Sequence, residues 1–350
     1  MFKGNGISKE QLTDTGEPCI LYGELYTKYK SEVISNIFSK TDIDTRKLVK
    51  SKANDVIIPC SGETAVDIAT ARCVPYDNIL LGGDLNIIRL YDCDGSFMSY
   101  QLNGKRKYDL AKVAQGVSVV HLYGDHLKGV KTYNPCLEEQ KKIAKLLSLL
   151  DERIATQNKI IEDLKKLKSA ISENLFKAVK GDVVILCEIC EIIKGKQING
   201  EFLSEKGRYY VMNGGTEPSG YYSDCNVEAN TISISEGGNS CGYVQFNSSP
   251  FWSGGHCYTI QKLAENVDNM YLYHYLKSKE DAIMKLRIGS GLPNIQKKDL
   301  AMFKIKLPNV EQQKSISTFL SSLERKAEIE EFIQNAMLKE KQYLLQQMFI

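Results

Sequence analysis

The sequence predicts a mixed α+β protein in which two β-rich globular domains alternate with two long helices that form an antiparallel coiled coil. Three observations favour this fold class. A long uninterrupted heptad pattern begins at Leu137, the same pattern returns near the C-terminus, and the regions that precede the two patterns are themselves related. The predicted segments are a globular domain, a spacer helix, a second globular domain and a second spacer helix: 1–134, 135–180, 181–308 and 309–350.

The first long helix is predicted from apolar residues that recur at alternating spacings of four and three. This spacing keeps one stripe of a helix, here called the seam, against a partner helix. No Pro or Gly interrupts 137–180, whereas Pro135 precedes it and Gly181 follows it, as is usual at helix ends. Such a helix is roughly 60 Å long, which suits a spacer. Its predicted seam residues are Ile143, Leu147, Leu150, Ile154, Gln157, Ile161, Leu164, Ile171 and Leu175.

The second long helix is predicted because the opening of the first is repeated later in the sequence. The pattern Pro-x-x-Glu-x-Gln begins at Pro135 and again at Pro308. Helical periodicity alone does not require the shared Pro and Gln, so the two segments are an internal repeat. The predicted seam residues of the second helix are Ile316, Leu320, Leu323, Gln334, Met337, Leu344 and Met348.

An antiparallel pairing of the two helices gives facing residues a constant sum of sequence numbers. Placing Ile143 opposite Met348 sets that sum at 491, so that Gln157 faces Gln334. A buried polar pair in a seam usually fixes the register at a cost in stability. The same register places Lys168 near Leu323 and Lys341 near Leu150. We therefore expect the stems of these lysines to pack while their amines reach outward.

The two globular domains are related to each other more loosely than the helices are. Lys3-Gly4 aligns with Lys194-Gly195, and Gly82-Gly83-Asp84 aligns with Gly254-Gly255-His256, while the neighbouring loop residues differ. About ten residues precede Lys194 in the second domain but only two precede Lys3, so we expect the first domain to have a shortened N-terminus.

Local patterns predict several elements of the first domain. Asp55–Pro59 and Asn86–Tyr91 are expected to be short strands, because each contains consecutive β-branched residues and is bounded by Gly and Asp turns. The segment Ser31–Phe38 is compatible with a short helix.

Composition excludes several functional classes. The chain has 350 residues, 43% of them hydrophobic, without an apolar run long enough to span a membrane. Ten cysteines are scattered singly, which suits a reducing compartment and predicts a cytoplasmic location. The pair Cys187 and Cys190 lacks the second pair that a zinc site requires, and the four histidines have no metal-ligand spacing. The formal net charge of +2 gives no electrostatic signature of nucleic-acid binding and does not exclude it.

The order of domains and the helix-opening motifs resemble the specificity subunits of type I restriction–modification enzymes. Besides the two Pro-x-x-Glu-x-Gln segments, the second domain carries Gly289-Ser-Gly-Leu-Pro-Asn-Ile295, which resembles the family's lead-in to its conserved helix. The first domain has a divergent version of this motif at Gly116–Leu122. The resemblance covers nearly the whole chain.

This resemblance implies that the globular units are target recognition domains, each of which binds one half of a bipartite sequence in double-stranded DNA. It also implies that the helices hold the domains apart and dock two methylation subunits, which carry S-adenosylmethionine and methylate adenine. Restriction subunits are further expected partners, and no membrane partner is expected. The chain itself has neither a phosphate-binding loop nor an adenine-methylation motif, so we expect no catalytic residue, metal or cofactor in it.

Candidate DNA-binding residues are polar, aromatic or glycine residues in the predicted loops. Such side chains bind base edges or phosphates, and glycine permits close backbone approach. The candidates in the first domain are Tyr22, Tyr26, Lys28, Ser61, Gly62, Glu63, Thr64, Asp84, Lys105, Arg106 and Lys107. The candidates in the second domain are Asn213, Gly215, Thr216, Tyr221, Tyr222, Asn239, Ser240, His256 and Arg287. Each of these residues is also compatible with an ordinary role in a turn or a core.

The residues alone leave two other functions open. A protein-interaction adaptor, built on the same coiled-coil spacer but without DNA binding, fits the balanced charge equally well. An enzyme with an unrecognised site is the third interpretation. DNA binding in a gel shift, with and without a co-expressed methylation subunit, separates the first function from the adaptor.

Overall fold

The computed structural model describes residues 1–289, 291 and 293–349 of the chain. Two compact units are present: Met1–Lys159 together with Glu331–Ile350, and Ile160–Glu330. Each unit contains one globular domain and parts of both long helices. The predicted fold class, in which β-rich domains alternate with two long helices, is confirmed. Within the described residues, no helix is both long and apolar enough to cross a membrane.

The first globular domain contains ten short strands and five short α-helices. Its strands are β1 (Phe2–Lys3), β2 (Leu12–Thr13), β3 (Glu17–Ile20), β4 (Ser39–Thr41), β5 (Asp55–Pro59), β6 (Ser61–Gly62), β7 (Arg72–Val74), β8 (Leu80–Leu81), β9 (Leu85–Ile88) and β10 (Val120–His121). Its helices are α1 (Glu24–Thr27), α2 (Ala65–Ile68), α3 (Gly95–Asn103), α4 (Lys107–Lys112) and α5 (Gly124–Leu127). The first long helix, α6, follows and runs over Leu137–Ala178.

The second globular domain precedes the second long helix. Its strands are β11 (Asp182–Ile185), β12 (Glu191–Lys194), β13 (Tyr209–Met212), β14 (Tyr221–Tyr222), β15 (Thr231–Ser235), β16 (Val244–Asn247), β17 (Trp252–Ser253), β18 (Cys257–Gln261) and β19 (Lys304–Leu307). Its helices are α7 (Leu186–Ile189), α8 (Asn269–Ser278), α9 (Glu280–Met284) and α10 (Lys297–Ala301), and the second long helix, α11, runs over Val310–Gln347. Ile350, the last residue of the predicted second spacer, lies outside the described residues.

Both domains are built around a four-stranded sheet of the same plan. The strand order is β1-β9-β5-β7 in the first and β12-β18-β15-β16 in the second, and the strands β5 and β15 are entirely buried. The glycines of the aligned Lys-Gly pairs occupy equivalent places. A Cβ on Gly4 would overlap the Gly82 carbonyl oxygen, and one on Gly195 would overlap that of Gly254. The repeat therefore preserves a close backbone contact that only glycine permits.

Two predictions for the first domain need correction. Ser31–Phe38 is not a helix, because its backbone pairs with strand β7: Ile34 N–H donates to the Cys73 carbonyl, and Cys73 N–H donates to the Glu32 carbonyl. The predicted strand 86–91 ends at Ile88. Arg89 turns out of the ladder, and its guanidinium binds Asp55 at 2.7 Å.

In the first unit, the N-terminal half of α6 packs against the C-terminal half of α11. Ala144 and Leu147 of α6 share a core with Leu345 of α11, with Phe349, and with two aromatic residues of α3. Gln334 on α11 donates a hydrogen bond to Asn158 on α6. The helix pair and the globular domain of this unit therefore share one core.

In the second unit, the remaining parts of the two helices pair in the same way. Phe176 and Leu320 join the core of the second globular domain, and Ile171 packs against it. Lys168 on α6 forms an ion pair with Glu324 on α11 at 2.7 Å. The numbers of this pair sum to 492, as do those of the Lys341–Asp151 ion pair in the first unit. These side-chain contacts lie within one residue of the predicted sum of 491, and the facing positions of the backbone stay a prediction.

The expected outward orientation of the two seam lysines is wrong. Lys341 is mostly buried and binds Asp151 and Glu32, and Lys168 binds Glu324 instead of reaching solvent. Both ammonium groups lie within reach of carboxylates, and such charge-assisted hydrogen bonds hold them inside the helix pair.

Candidate nucleic-acid interface

The first globular domain has a groove of about 770 Å³ that gathers about half of its candidate residues. The groove is lined by the turn before α1, by α1 itself, by the β6 loop, by strand β7, by the start of α4 and by the segment before β10. The candidates that line this groove are Tyr22, Tyr26, Ser61, Gly62, Glu63 and Lys107. Phenol, hydroxyl, carboxylate and ammonium groups can together contact both bases and phosphates.

The floor of the groove is fixed by a contact between α1 and the β6 loop. The Tyr26 hydroxyl donates to the Ser61 carbonyl oxygen at 3.0 Å. Burial raises the pKa of Tyr26, so its phenol stays protonated as a donor at neutral pH. A Cβ on Gly62 would lie 3.0 Å from that hydroxyl, and Gly62 also pairs with Val120 in the β6–β10 ladder. These contacts hold the loop that carries Glu63 at the edge of the groove.

The other candidates in this domain do not line the groove. Lys28 binds Glu24 at 2.7 Å and the Ser39 hydroxyl at 2.8 Å. Thr64 caps α2 by accepting from Asp67 N–H, and Asp84 adopts a positive φ of 57° in the turn between β8 and β9. The remaining two, Lys105 and Arg106, precede α4. DNA contacts by these five residues stay predictions.

Several residues that line the groove are absent from the sequence-based candidates. Lys30, Thr70 and Arg72 face the groove, and Ser118 and Val119 line it from the segment before β10. Their chain neighbour Val117 is 98% exposed at the tip of a hairpin closed by Gln115 and His121. The sequence signal for this segment is the match between Gly116–Leu122 and the second domain's Gly289–Ile295 motif. Equivalent bridges pair Gln115 with His121 in the first domain and Ile288 with Asn294 in the second.

In the second domain, three loops converge at Asn213 and His256. The Asn213 side-chain oxygen accepts a hydrogen bond from His256 N–H at 3.2 Å. The Gly214 carbonyl accepts one from the Ser235 hydroxyl at 2.6 Å, and Gly237 pairs with Asn294. The structure therefore brings together the predicted loop at 213–216 and the predicted residue His256.

A buried carboxylate lies beneath these loops. Glu236 binds Lys194 at 2.6 Å and accepts from the Tyr258 hydroxyl at 3.0 Å, while the His256 ring lies 3.9 Å from its other oxygen. Burial raises the pKa of Tyr258, which keeps it a donor to this carboxylate. Lys194 and His256 are both largely exposed beside Glu236, so polar groups with donor capacity face outward here.

The remaining second-domain candidates lie in several places. Tyr221 and Tyr222 form strand β14, and the Tyr222 ring contacts Trp252 edge to face at 5.2 Å between centroids. Three candidates lie in turns or bends: Gly215, Thr216 and Asn239. The Ser240 carbonyl accepts from Tyr243 N–H, and Arg287 directly precedes Ile288, which forms a bridge with Asn294. Ser290 and Leu292 of the Gly289–Ile295 motif lie outside the described residues.

Substitution of Lys107 tests whether the first groove binds DNA. We expect Lys107→Ala to weaken binding several-fold on all sequences and to reduce the slope of log K against log salt by about 0.9, because one phosphate contact is lost. Lys112→Ala is the matched control, since Lys112 lies on the same helix α4 but not in the groove lining. Fluorescence anisotropy at several salt concentrations measures both quantities. Equal slopes for the two variants would contradict a phosphate contact at Lys107.

A family model described as type I restriction modification DNA specificity domain matches residues 2–166 and 179–339. A putative type I specificity subunit of Mycoplasma pneumoniae is 33% identical over 165 residues, which cover 47% of this chain and 42% of that protein. A similar protein of Mycoplasma genitalium is 32% identical over 140 residues, covering 39% and 36%. The chain thus matches about two-fifths of the length of these two relatives. The MjaVIII specificity subunit of Methanocaldococcus jannaschii is 25% identical over 350 residues, covering 88% and 80%.

Two solved structures share the fold. The type I restriction–modification S subunit of M. genitalium superposes with a TM-score of 0.68 at 20% identity, over 100% of this chain and 93% of that one. A chain from a structure concerned with complex assembly of a type I restriction–modification system gives 0.60 at 17% identity, over 98% and 93%. At these identities the likeness concerns the fold alone.

Proposed function

Because this chain belongs to the type I restriction–modification DNA specificity family, we propose that it binds a bipartite DNA target, one half-site per globular domain. The observation that carries this proposal is a shared scaffold with different loops. Both domains use the same sheet order and the same Gly–Gly backbone contact. The first domain gathers Tyr26, Glu63 and Lys107 around its groove, whereas the second gathers Asn213 and His256. Two domains with the same scaffold but different polar side chains suit the recognition of two half-sites with different sequences.

The proposal extends to the partners that methylate the target. Exposed apolar side chains occur on the long helices in each unit. In the first unit they are Leu137, Leu146, Leu149, Phe332, Leu338 and Tyr343, and in the second they are Ile160, Leu167, Phe319 and Ile329. Exposed apolar surface on a helix pair favours a further partner. We propose that each set docks one methylation subunit and that the S-adenosylmethionine site belongs to that subunit.

The chain is proposed to be a non-catalytic, cytoplasmic component of the complex. Restriction subunits are proposed to join the same assembly. A protein-interaction adaptor remains the competing function, and a gel shift on duplex DNA with the co-expressed methylation subunit distinguishes the two. Absence of binding to any duplex would favour the adaptor.

Exchange of the second domain tests the division of labour between the domains. Replacing residues 181–308 with the corresponding domain of another family member should change one half of the methylated sequence and leave the other half unchanged. The reason is that the first domain keeps its own core and groove. Single-molecule sequencing of DNA methylated in cells that express the hybrid identifies both halves. Changes in both halves would show that the domains do not bind independently.

A further inference from the structure

Lys341 of α11 joins the helix pair to the globular domain of the first unit. Its ammonium group forms ion pairs with Glu32, from the segment that follows α1, and with Asp151 of α6. All three side chains are at most 12% exposed. Burial opposes the charged ammonium, but the two carboxylates outweigh it and raise the pKa of Lys341. The lysine is therefore charged and held between two elements that are remote in sequence.

Asp151 accepts two further hydrogen bonds. The Tyr100 hydroxyl of α3 and the Ser31 hydroxyl both donate to its Oδ2 at 2.8 Å. Burial and the nearby carboxylates raise the pKa of Tyr100, so the phenol remains a donor. One carboxylate on α6 thus accepts from α3, from the segment after α1 and from α11. Several directional bonds to one charged group define a single geometry more narrowly than apolar packing does.

The same segment leads directly to the groove. Lys30, which lines the groove, lies two residues before Glu32. Arg72 also lines the groove, and its guanidinium donates to the Tyr29 carbonyl at 3.1 Å. Displacement of Glu32 from Lys341 would therefore be transmitted to two groove residues through a short stretch of backbone.

The second unit contains a repeat-related arrangement. Glu324 occupies the position of Asp151 when residues are counted from the motif prolines, and Lys341 and Tyr273 correspond to Lys168 and Tyr100 in the same way. Glu324 binds Lys168 at 2.7 Å and accepts from the Tyr273 hydroxyl at 3.2 Å. The second arrangement is looser, since Lys168 and Glu324 are 22% and 29% exposed. Preservation of a lysine, a carboxylate and a tyrosine in both units indicates a common task.

We propose that Lys341, Asp151, Tyr100 and Glu32 are positioning residues that fix the first globular domain, with its groove, on the helix pair. The proposal rests on the proposed bipartite target. Fixing the domain in one orientation determines which gap between half-sites the protein accepts. Replacing a buried ion pair by uncharged side chains is often neutral for stability, so these bonds contribute geometry more than folding energy.

Gap selectivity tests the proposal. The chain is co-expressed with its methylation subunit, and methylation is measured on targets whose gap differs from the natural one by up to about two base pairs, or roughly 7 Å of helix. The test variant is the charge-free triple substitution Lys341→Met, Glu32→Gln, Asp151→Asn. We expect its preference for the natural gap to fall by about tenfold. This is the effect expected when one or more directional bonds to a charged group are lost. Methylation at the natural gap is expected to fall less.

Milder variants separate positioning from folding. Lys341→Arg keeps the charge and should keep gap selectivity, whereas Tyr100→Phe removes a single hydrogen bond and should relax it partly. Half-site DNA binding by the first unit's groove should persist in each case and should weaken only in the triple variant, where Glu32 is displaced. Wild-type gap selectivity in both the triple variant and Tyr100→Phe would overturn the proposal. A wild-type protein without any gap preference would instead overturn the proposed bipartite function, and the positioning role with it.

Discussion

If each unit docks one methylation subunit as proposed, glutamate at Leu146 and Leu149 is expected to reduce the number bound per chain from two to one. Both leucines are about half exposed on α6 within the first unit, where Phe332, Leu338 and Tyr343 of α11 are also exposed. Burying an unpaired carboxylate in an apolar contact costs several kcal/mol, which corresponds to a loss of affinity of at least about 100-fold. The second unit keeps its own apolar set and should still bind one subunit.

Native mass spectrometry of the co-expressed complex measures this stoichiometry directly. Ala155→Glu is the control, because it adds a carboxylate at another exposed position of α6. Adding Phe319→Glu in the second unit should remove the remaining methylation subunit. Two subunits still bound after the Leu146 and Leu149 substitutions would show that this apolar set is not the docking surface.

Gln313→Ala is expected to destabilise the second unit by about 3 kcal/mol. Gln313 is fully buried at the start of α11, where its amide donates to the carbonyls of Asn266 and Pro308 and its oxygen accepts from Asp268 N–H at 2.8 Å. Alanine would leave these three backbone groups without their partner, and each such loss costs about 1 kcal/mol or more. The melting temperature of this unit should fall by roughly 6–12 °C.

Gln312→Ala provides the matched control, since that neighbouring side chain is exposed. Differential scanning calorimetry of both variants separates the loss of buried hydrogen bonds from the change in helix propensity. Gln140→Ala should act similarly on the first unit, because Gln140 accepts from Asp94 N–H and donates to the Pro135 carbonyl. A Gln313→Ala melting curve that matches Gln312→Ala would contradict the role assigned to the motif glutamine.

The repeat is predictable because its signals lie close together in the sequence. The contacts that its residues make are not predictable, because they join residues that are far apart in the sequence. The Pro-x-x-Glu-x-Gln spacing and the heptads are visible in any window of the sequence. Gln313, by contrast, binds Asp268 and Asn266 in the second globular domain, and Lys341 of the second long helix binds Glu32 in the first globular domain. No periodicity reports such distant contacts, so the outward orientation predicted for Lys341 is wrong.

The candidate site is predictable only in part, because only its local sequence signals can be recognised. Loop residues with Gly neighbours, such as Glu63, have a recognisable composition, and the structure places several of them in one groove. Lys30 and Arg72 are not predicted from the sequence. Lys30 follows helix α1 and Arg72 begins strand β7, and the sequence gives no indication of a groove at either place. Ser31–Phe38, which is compatible with a short helix by sequence, is not helical because its backbone pairs with Cys73, on a strand that lies well beyond it in the sequence.

The first unit is completed by residues that follow the second unit in the sequence, so we expect an effect on folding during synthesis. Phe349 and Leu345 fill the same core as Phe97 and Leu147. The second unit, Ile160–Glu330, is continuous in sequence. Domains usually fold in the order in which the ribosome releases them. We therefore expect the apolar surface around Phe97 and Leu147 to stay uncovered until the end of α11 is synthesised, whereas every residue of the second unit is synthesised before that.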